Sequence, residues 1–217
     1  MKIRFVSRGG LMEEQACDIE GEDLTIYGFD GLGEVSYDKE LKGESDCFER
    51  AARLSKQTKG VVVCGCITDT RGIKRKSALV AENGMLAGVS DMTHTLDGKL
   101  SPGAGLRVYD TKIGKMGVAV AEDILFPEVM SALATCGSDF IVCPFGGLHN
   151  TMPQILLRAY AYLYGVPIFL CGVGYCVAVG ADGFVTLATP QSPMVFTFPN
   201  RKEFHLVETR KRGVFQA

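Results

Sequence analysis

Short runs of apolar residues recur along the whole chain and predict a structure that is dominated by β-strands. The turns between them support this interpretation, because Glu82-Asn83-Gly84 and Ala181-Asp182-Gly183 each separate two apolar runs, as tight hairpins with positive φ require. The predicted strands span residues 3–6, 24–27, 61–67, 78–81, 86–89, 106–109, 115–121, 140–143, 168–171, 177–181, 184–187, 194–198 and 204–207.

Three segments carry apolar residues at helical spacing. The first spans 44–59, with Ser45 as its expected N-cap; the second spans 127–136, and the third spans 152–164. Several predicted strands are apolar at successive positions, which indicates burial on both faces. The fold class is therefore predicted to be α/β, with two mixed sheets packed on each other and helices outside.

Length and charge narrow the class of protein. A chain of 217 residues, 47% of them hydrophobic, predicts one domain over 1–217. A net charge of -2 gives no reason to expect nucleic acid as a partner. The basic stretch at 71–76 is interpreted as a solvated hairpin rim. The longest uncharged stretch, 166–181, is broken by Pro167 and by glycines, so no membrane span is predicted.

The cysteines and histidines give no metal-binding pattern. Eight cysteines without an export signal at the N-terminus are expected to be reduced, which predicts a cytoplasmic protein. Cys64 and Cys66 lack a partner pair, and His94, His149 and His205 are isolated in the sequence. Neither a metal ion nor a cofactor is predicted.

The segment 115–128 passes from a predicted buried strand to a predicted helix start within a few residues. Such an elbow places one side chain at a strand end, close to helix amides that favour an anion. A nucleophile at this place would be a serine or a cysteine. The chain carries Ala121 there.

The run from Gly117 to Glu128, with the strand at 140–144, resembles the signature of the nitrilase (carbon-nitrogen hydrolase) superfamily. Further similarity covers most of the chain, including the LSPGAGLRVYDT stretch at 100–111. The resemblance implies an αββα sandwich that pairs into homodimers or larger homo-oligomers. It also implies hydrolysis of amides or nitriles through a Glu-Lys-Cys triad.

None of the three triad residues is present at the position that the resemblance assigns to it. Phe29 stands at the glutamate position, Met92 at the lysine position and Ala121 at the cysteine position. Three apolar replacements remove the general base, the stabilising cation and the nucleophile. The former active site is therefore expected to be an apolar pocket or a filled core.

A few polar residues around the elbow could support other chemistry. Glu122 is adjacent to it, Asp97 is the one match for a further family carboxylate, and the strands that end near Cys143 and Cys171 border the site by resemblance. The predicted pocket consists of Phe29, Met92, His94, Ala121, Glu122, Cys143, Phe145 and Cys171.

Only about sixteen residues separate the first two strands, so the first helix of the family is predicted to be shortened or absent. Three functions stay open. The first is an inactive protein that binds a small molecule or a partner protein through the former active site. The second is an amide hydrolase whose catalytic residues have moved, with His94, Glu122 or Cys143 as the candidates. The third is a purely structural subunit.

Overall fold

A computed structural model describes residues 1–11, 21–29, 31–96, 98–147 and 151–199. Within them the helices are α1 (Tyr37–Lys42), α2 (Cys47–Thr58), α3 (Pro127–Thr135) and α4 (Met152–Tyr164), with a short 3-10 helix at Ala121–Leu125. The strands are β1 (Lys2–Val6), β2 (Leu24–Tyr27), β3 (Glu34–Ser36), β4 (Val61–Thr70), β5 (Ile73–Glu82), β6 (Met85–Asp91), β7 (Val108–Thr111), β8 (Gly114–Val118), β9 (Phe140–Gly147), β10 (Ile168–Val173), β11 (Tyr175–Val179), β12 (Val185–Thr189) and β13 (Met194–Thr197).

The strands form two mixed sheets. The first sheet has the order β13-β1-β2-β4-β5-β6, with β3 beside β4, and the second has the order β12-β11-β10-β9-β8-β7. In the first sheet β1, β2 and β4 are parallel, and in the second β8, β9 and β10 are parallel. The carboxyl ends of these central strands gather side chains from both sheets at one edge of the sandwich.

Three hydrophobic clusters define the layers. One lies between the sheets and includes Phe5, Val63 and Phe169. A second lies between the first sheet and α2, which packs on β4, β5 and β6. The third lies between the second sheet and the pair α3 and α4. This αββα arrangement confirms the predicted α/β sandwich of two mixed sheets with helices outside.

The start of α2 differs from the prediction. The helix begins at Cys47 and its N-cap position is Asp46, whereas the sequence pattern placed the cap at Ser45. The carboxylate of Glu40 instead accepts hydrogen bonds from the backbone N–H groups of Cys47 and Phe48, at 3.0 and 3.1 Å. Glu40 comes from α1, a helix too short to produce a periodic pattern in the sequence.

Some predictions fall outside the described residues. These include Asp97, His149 and His205, the strand predicted at 204–207, and most of the segment in which a shortened first helix was expected. The single domain over 1–217 therefore stays a prediction. Among the described residues, no helix is both long and apolar enough to cross a membrane.

Candidate functional site

The elbow predicted around Ala121 is present. β8 ends at Val118, and the chain turns into the 3-10 helix at Ala121 before α3 starts at Pro127. Ala121 has a φ of 49°, in the left-handed region that residues other than glycine rarely adopt. An alanine in this conformation has a conformational free energy on the order of 1–3 kcal/mol above that of a favoured one. The backbone geometry of a nucleophile position is thus present without a nucleophile.

The three positions that the resemblance assigns to the triad lie in the core between the sheets. Phe29 follows β2, Met92 follows β6, and both belong to the same hydrophobic cluster as Ala121. Their exposures are 8%, 2% and 0% for Phe29, Met92 and Ala121. The structure therefore buries all three positions in one apolar cluster.

The backbone beside Phe29 is packed very closely. A Cβ atom added at Gly65 would lie 2.6 Å from the Cα atom of Phe29, and one added at Gly28 would lie 3.1 Å from the carbonyl oxygen of Gly172. Real side chains do not tolerate the first of these distances. Glycines thus let β2, β4 and β10 approach one another at this edge, which limits the space for a ligand around Phe29.

An ion pair forms the polar side of this site. The ammonium group of Lys76 on β5 binds the Oε1 atom of Glu122 and lies 5.9 Å from the centre of the Phe29 ring. About a quarter of each of the two charged side chains is exposed. The Oε2 atom of Glu122 is buried and has no hydrogen-bond partner among the described residues. One carboxylate and one ammonium group therefore sit above the buried apolar positions.

Lys76 was not among the predicted site residues, because the basic stretch was interpreted as a solvated rim. The alternation along β5 contains the missing signal. Ala78 and Val80 face the core between the sheets, and Lys76 has the same parity in the strand. A lysine at the inward-facing end of a strand is expected to reach the site.

The two thiols near the site are buried. Cys171 belongs to the same cluster as Phe29, whereas Cys143 and Phe145 belong to the cluster that faces α3 and α4. This differs from the predicted pocket, because successive residues of β9 point to opposite faces of the sheet and Cys143 shares its parity with Ile141. The Sγ atom of Cys143 lies 4.0 Å from the Ala121 carbonyl oxygen.

Burial also controls the ionisation of these thiols. It raises the pKa of Cys143 far above its ordinary value, and the charges of Asp123 and Glu122 raise it further. Burial likewise raises the pKa of Cys171. Since the thiolate is the nucleophilic form, neither cysteine is poised to attack a substrate.

His94 lies in a separate network around Asp123. The buried Asp123 carboxylate accepts hydrogen bonds from the backbone N–H groups of Thr93 and His94 at 3.0 Å, and from the Thr93 hydroxyl at 2.9 Å. The His94 ring stacks on Phe126, with its Nε2 atom 3.7 Å from Glu128. Burial raises the pKa of the Asp123 carboxyl, against the effect of these hydrogen bonds. The network fastens the segment after Met92 to the elbow.

No group of three or more histidine, cysteine, aspartate or glutamate side chains that could hold a metal ion occurs among the described residues. The site as described thus consists of the buried apolar residues Phe29, Met92 and Ala121, the Lys76–Glu122 pair, and the His94–Asp123 network beside them.

Comparison with known proteins gives a family match over most of the chain. A family model described as carbon-nitrogen hydrolase matches residues 24–194. Two relatives from Schizosaccharomyces pombe, a hydrolase and a probable nitrilase, are each 27% identical to it. The alignments cover 58% and 55% of this chain, and 44% and 47% of the relatives. The chain thus spans about half the length of these curated relatives.

A third relative is a citrullinase of Francisella tularensis, 35% identical over 75 residues, which are 31% of this chain and 26% of the relative. Among solved structures, Nit3 of Saccharomyces cerevisiae, a member of branch 10 of the nitrilase superfamily, has a TM-score of 0.74 at 20% identity and covers 90% of this chain and 88% of its own. The NitN amidase of Nesterenkonia sp. AN1 has a TM-score of 0.75 at 18% identity, covering 92% and 93%. At these identities the structural likeness shows a common fold.

Proposed function

Because this chain belongs to the carbon-nitrogen hydrolase family, we propose that it is a catalytically inactive member that binds a small amide at the former active site. The observation that carries the proposal is the burial of Phe29, Met92 and Ala121 in one apolar cluster, with the Lys76–Glu122 pair above them. Family chemistry needs a base, a cation and a thiolate at those three positions, and each of them is apolar here.

Neither of the two described thiols near the elbow takes the place of the missing cysteine. Cys143 is fully buried on the α3 and α4 side of its sheet, and burial keeps its thiol protonated. Cys171 is likewise fully buried. Neither of these two thiols is therefore available to form a covalent acyl intermediate.

The ligand class follows from the charged pair. An amide carbonyl can accept a hydrogen bond from the Lys76 ammonium group. The amide N–H can donate to the Glu122 carboxylate, whose buried Oε2 atom has no partner among the residues described and becomes reachable when the carboxylate rotates. A short aliphatic chain on the ligand would lie against the apolar residues beside this pair. A small neutral amide satisfies all three contacts.

Titration with propanamide, followed through the NMR signals of the Met92 and Ala121 methyl groups, tests this proposal. We expect Lys76→Met and Glu122→Gln each to weaken binding about tenfold or more, since a hydrogen bond to a charged group is worth roughly 1.5–3 kcal/mol. Lys74→Met is the matched control, because Lys74 lies two residues away on the same strand and binds Glu34. Equal affinity in all four proteins would contradict amide binding at this site.

One observation favours a second candidate function, amide hydrolysis by relocated groups. Glu122 and Lys76 supply a carboxylate and a cation at the elbow, where a water molecule could act as the nucleophile. The contacts of His94 are with Asp123, Glu128 and Phe126, and Cys143 is buried, so of the three predicted substitutes the structure favours Glu122. Turnover that is lost in Glu122→Gln would support this candidate. A purely structural subunit is the third alternative, and it predicts neither turnover nor amide binding.

A further inference from the structure

A cavity lies at the opposite end of the sandwich from the elbow. Its volume is about 410 Å³, and it is lined by residues that include Glu22, Thr58, Lys59 and Lys112. Glu22 precedes β2, Lys59 precedes β4 and Lys112 precedes β8, whereas Phe29 and Ala121 follow β2 and β8. The cavity is therefore separate from the site proposed above.

Glu22 is the buried acid of this cavity. Its side chain is 5% exposed, and its Oε1 atom lies 3.4 Å from the ammonium group of Lys2. Its Oε2 atom is buried and has no hydrogen-bond partner among the residues that the structure describes. Leaving a buried carboxylate oxygen without a donor is costly, so a donor on a ligand would gain a strong interaction there.

The wall beside Glu22 is fixed by backbone contacts. A Cβ atom added at Gly60 would lie 2.4 Å from the carbonyl oxygen of Glu22. The Thr58 hydroxyl donates to the Leu54 carbonyl at 3.0 Å and accepts from the Gly60 N–H at 3.1 Å. Because this wall is already ordered, a ligand would lose little free energy in arranging it.

The other lining charges have mixed signs. Lys59 and Lys112 are exposed lysines, and the carboxylate of Asp23 is engaged by the Lys2 backbone N–H at 2.8 Å. Glu22 thus offers an acceptor to an ammonium group, while the two lysines attract a carboxylate. We propose that this cavity binds a small zwitterion that carries both an amino group and a carboxylate. Because Oε2 is closed to solvent, its bond to the ligand forms after the Glu22 carboxylate rotates.

Titration of the whole chain with glycine, 4-aminobutanoate and 6-aminohexanoate, followed through backbone amide NMR signals, tests the proposal. We expect at least one of the three to shift the amide signals of Gly21, Thr58 and Lys112 and to leave those of Ala121 and Glu122 in place. Hexylamine and hexanoate each keep one of the two charges, so both should bind about tenfold more weakly or worse.

Two variants and a control locate the interaction. Glu22→Gln and Lys112→Ala should each weaken zwitterion binding several-fold, whereas Lys42→Ala, which removes an exposed lysine from α1, should not change it. If Glu22→Gln fails to fold, Lys112→Ala tests the proposal alone. This variant is expected to fold, because the Lys112 backbone N–H that donates to Glu82 is still present in it. The proposal is overturned if none of the three zwitterions shifts the Gly21, Thr58 and Lys112 signals. It is also overturned if hexanoate or hexylamine binds as tightly as the zwitterion, or if Lys112→Ala binds the zwitterion with the affinity of the unaltered chain. None of these results bears on amide binding at Phe29.

Discussion

At Ala121 the backbone keeps a left-handed conformation although the side chain is only a methyl group. In an enzyme such a conformation presents a nucleophile, and the cost of the strain is balanced by function. Here the methyl group is fully buried between the sheets, so the geometry is held by the surrounding packing. The proposed inactivity explains why a strained elbow carries an alanine, because the elbow geometry is kept without a catalytic side chain.

The strain can be measured by glycine substitution. Ala121→Gly removes a buried methyl group but relieves the positive φ, whereas Ala119→Gly removes a fully buried methyl group with no such relief. We expect Ala121→Gly to be less destabilising than Ala119→Gly by about 1–2 kcal/mol. Urea unfolding of the two variants measures this difference. If both variants lose the same free energy of unfolding, Ala121 is not strained.

The buried thiols provide a second test at single residues. Burial raises the pKa of Cys66 to about 12 and that of Cys176 to about 11, and it raises those of Cys143 and Cys171 as well. Cys136 is exposed. Iodoacetamide at about pH 8 should therefore modify Cys136 in the native chain well before these four.

Peptide mapping by mass spectrometry reads out each cysteine separately, and unfolding in urea is the control that makes all of them reactive. Modification of native Cys143 as fast as Cys136 would show an accessible thiolate beside the elbow. That result would contradict the protein's proposed inactivity.

The sequence predicted the site only in part, and Lys76 and Cys143 show why. The elbow and the three apolar positions follow from local motifs, and the structure has them in one cluster. Which side chains face that cluster depends on strand parity and on pairing between distant segments. Lys76 reaches Glu122 across 46 positions in the chain, a contact that a local pattern does not encode.

Among the secondary-structure elements, α1 supplies the cap of α2. Glu40 supplies both oxygens to the first N–H groups of α2, which otherwise lacks a side-chain cap. The longer helices and most strands could be predicted, because their apolar residues repeat over several turns or occupy successive buried positions. α1 and β3 could not, because six and three residues are too few to establish a period.

The capping role of Glu40 predicts a stability effect. Glu40→Ala should lower the free energy of unfolding by about 1 kcal/mol, the usual value for the loss of a helix N-cap. Glu44→Ala is the control, since Glu44 is exposed and only its backbone N–H takes part in the turn. Thermal unfolding of both variants measures the difference, and equal melting temperatures would argue against the cap.

For the whole molecule, the outer face of α4 carries an exposed apolar surface. Ile155, Tyr162 and Leu163 are each more than half exposed, and Phe184 before β12 is 68% exposed. The Gly183 carbonyl accepts a hydrogen bond from Arg158 of α4, which places Phe184 beside this helix. Apolar surface of this kind is usually covered by a partner. We therefore propose that α4 lies at the contact between copies in the homo-oligomer that the resemblance implies.

Light scattering after size exclusion tests this assembly. We expect the chain to form a dimer or a larger oligomer, and the double variant Tyr162→Asp, Leu163→Asp to be monomeric with an unchanged circular dichroism spectrum. Ile73→Asp, at an exposed apolar position that starts β5, is the control. An unchanged mass in the double variant would exclude α4 as the interface.

The most direct test of the central claim is a turnover measurement with the purified chain on a panel of short amides and nitriles, followed by release of ammonia. Without a nucleophile at Ala121, a base at Phe29 or a cation at Met92, no release above the uncatalysed rate is expected, either from the chain itself or from Ala121→Cys. Ammonia release by the unaltered chain that is abolished in Glu122→Gln or Lys76→Met, and retained in Lys74→Met, would contradict the account and identify a working hydrolase.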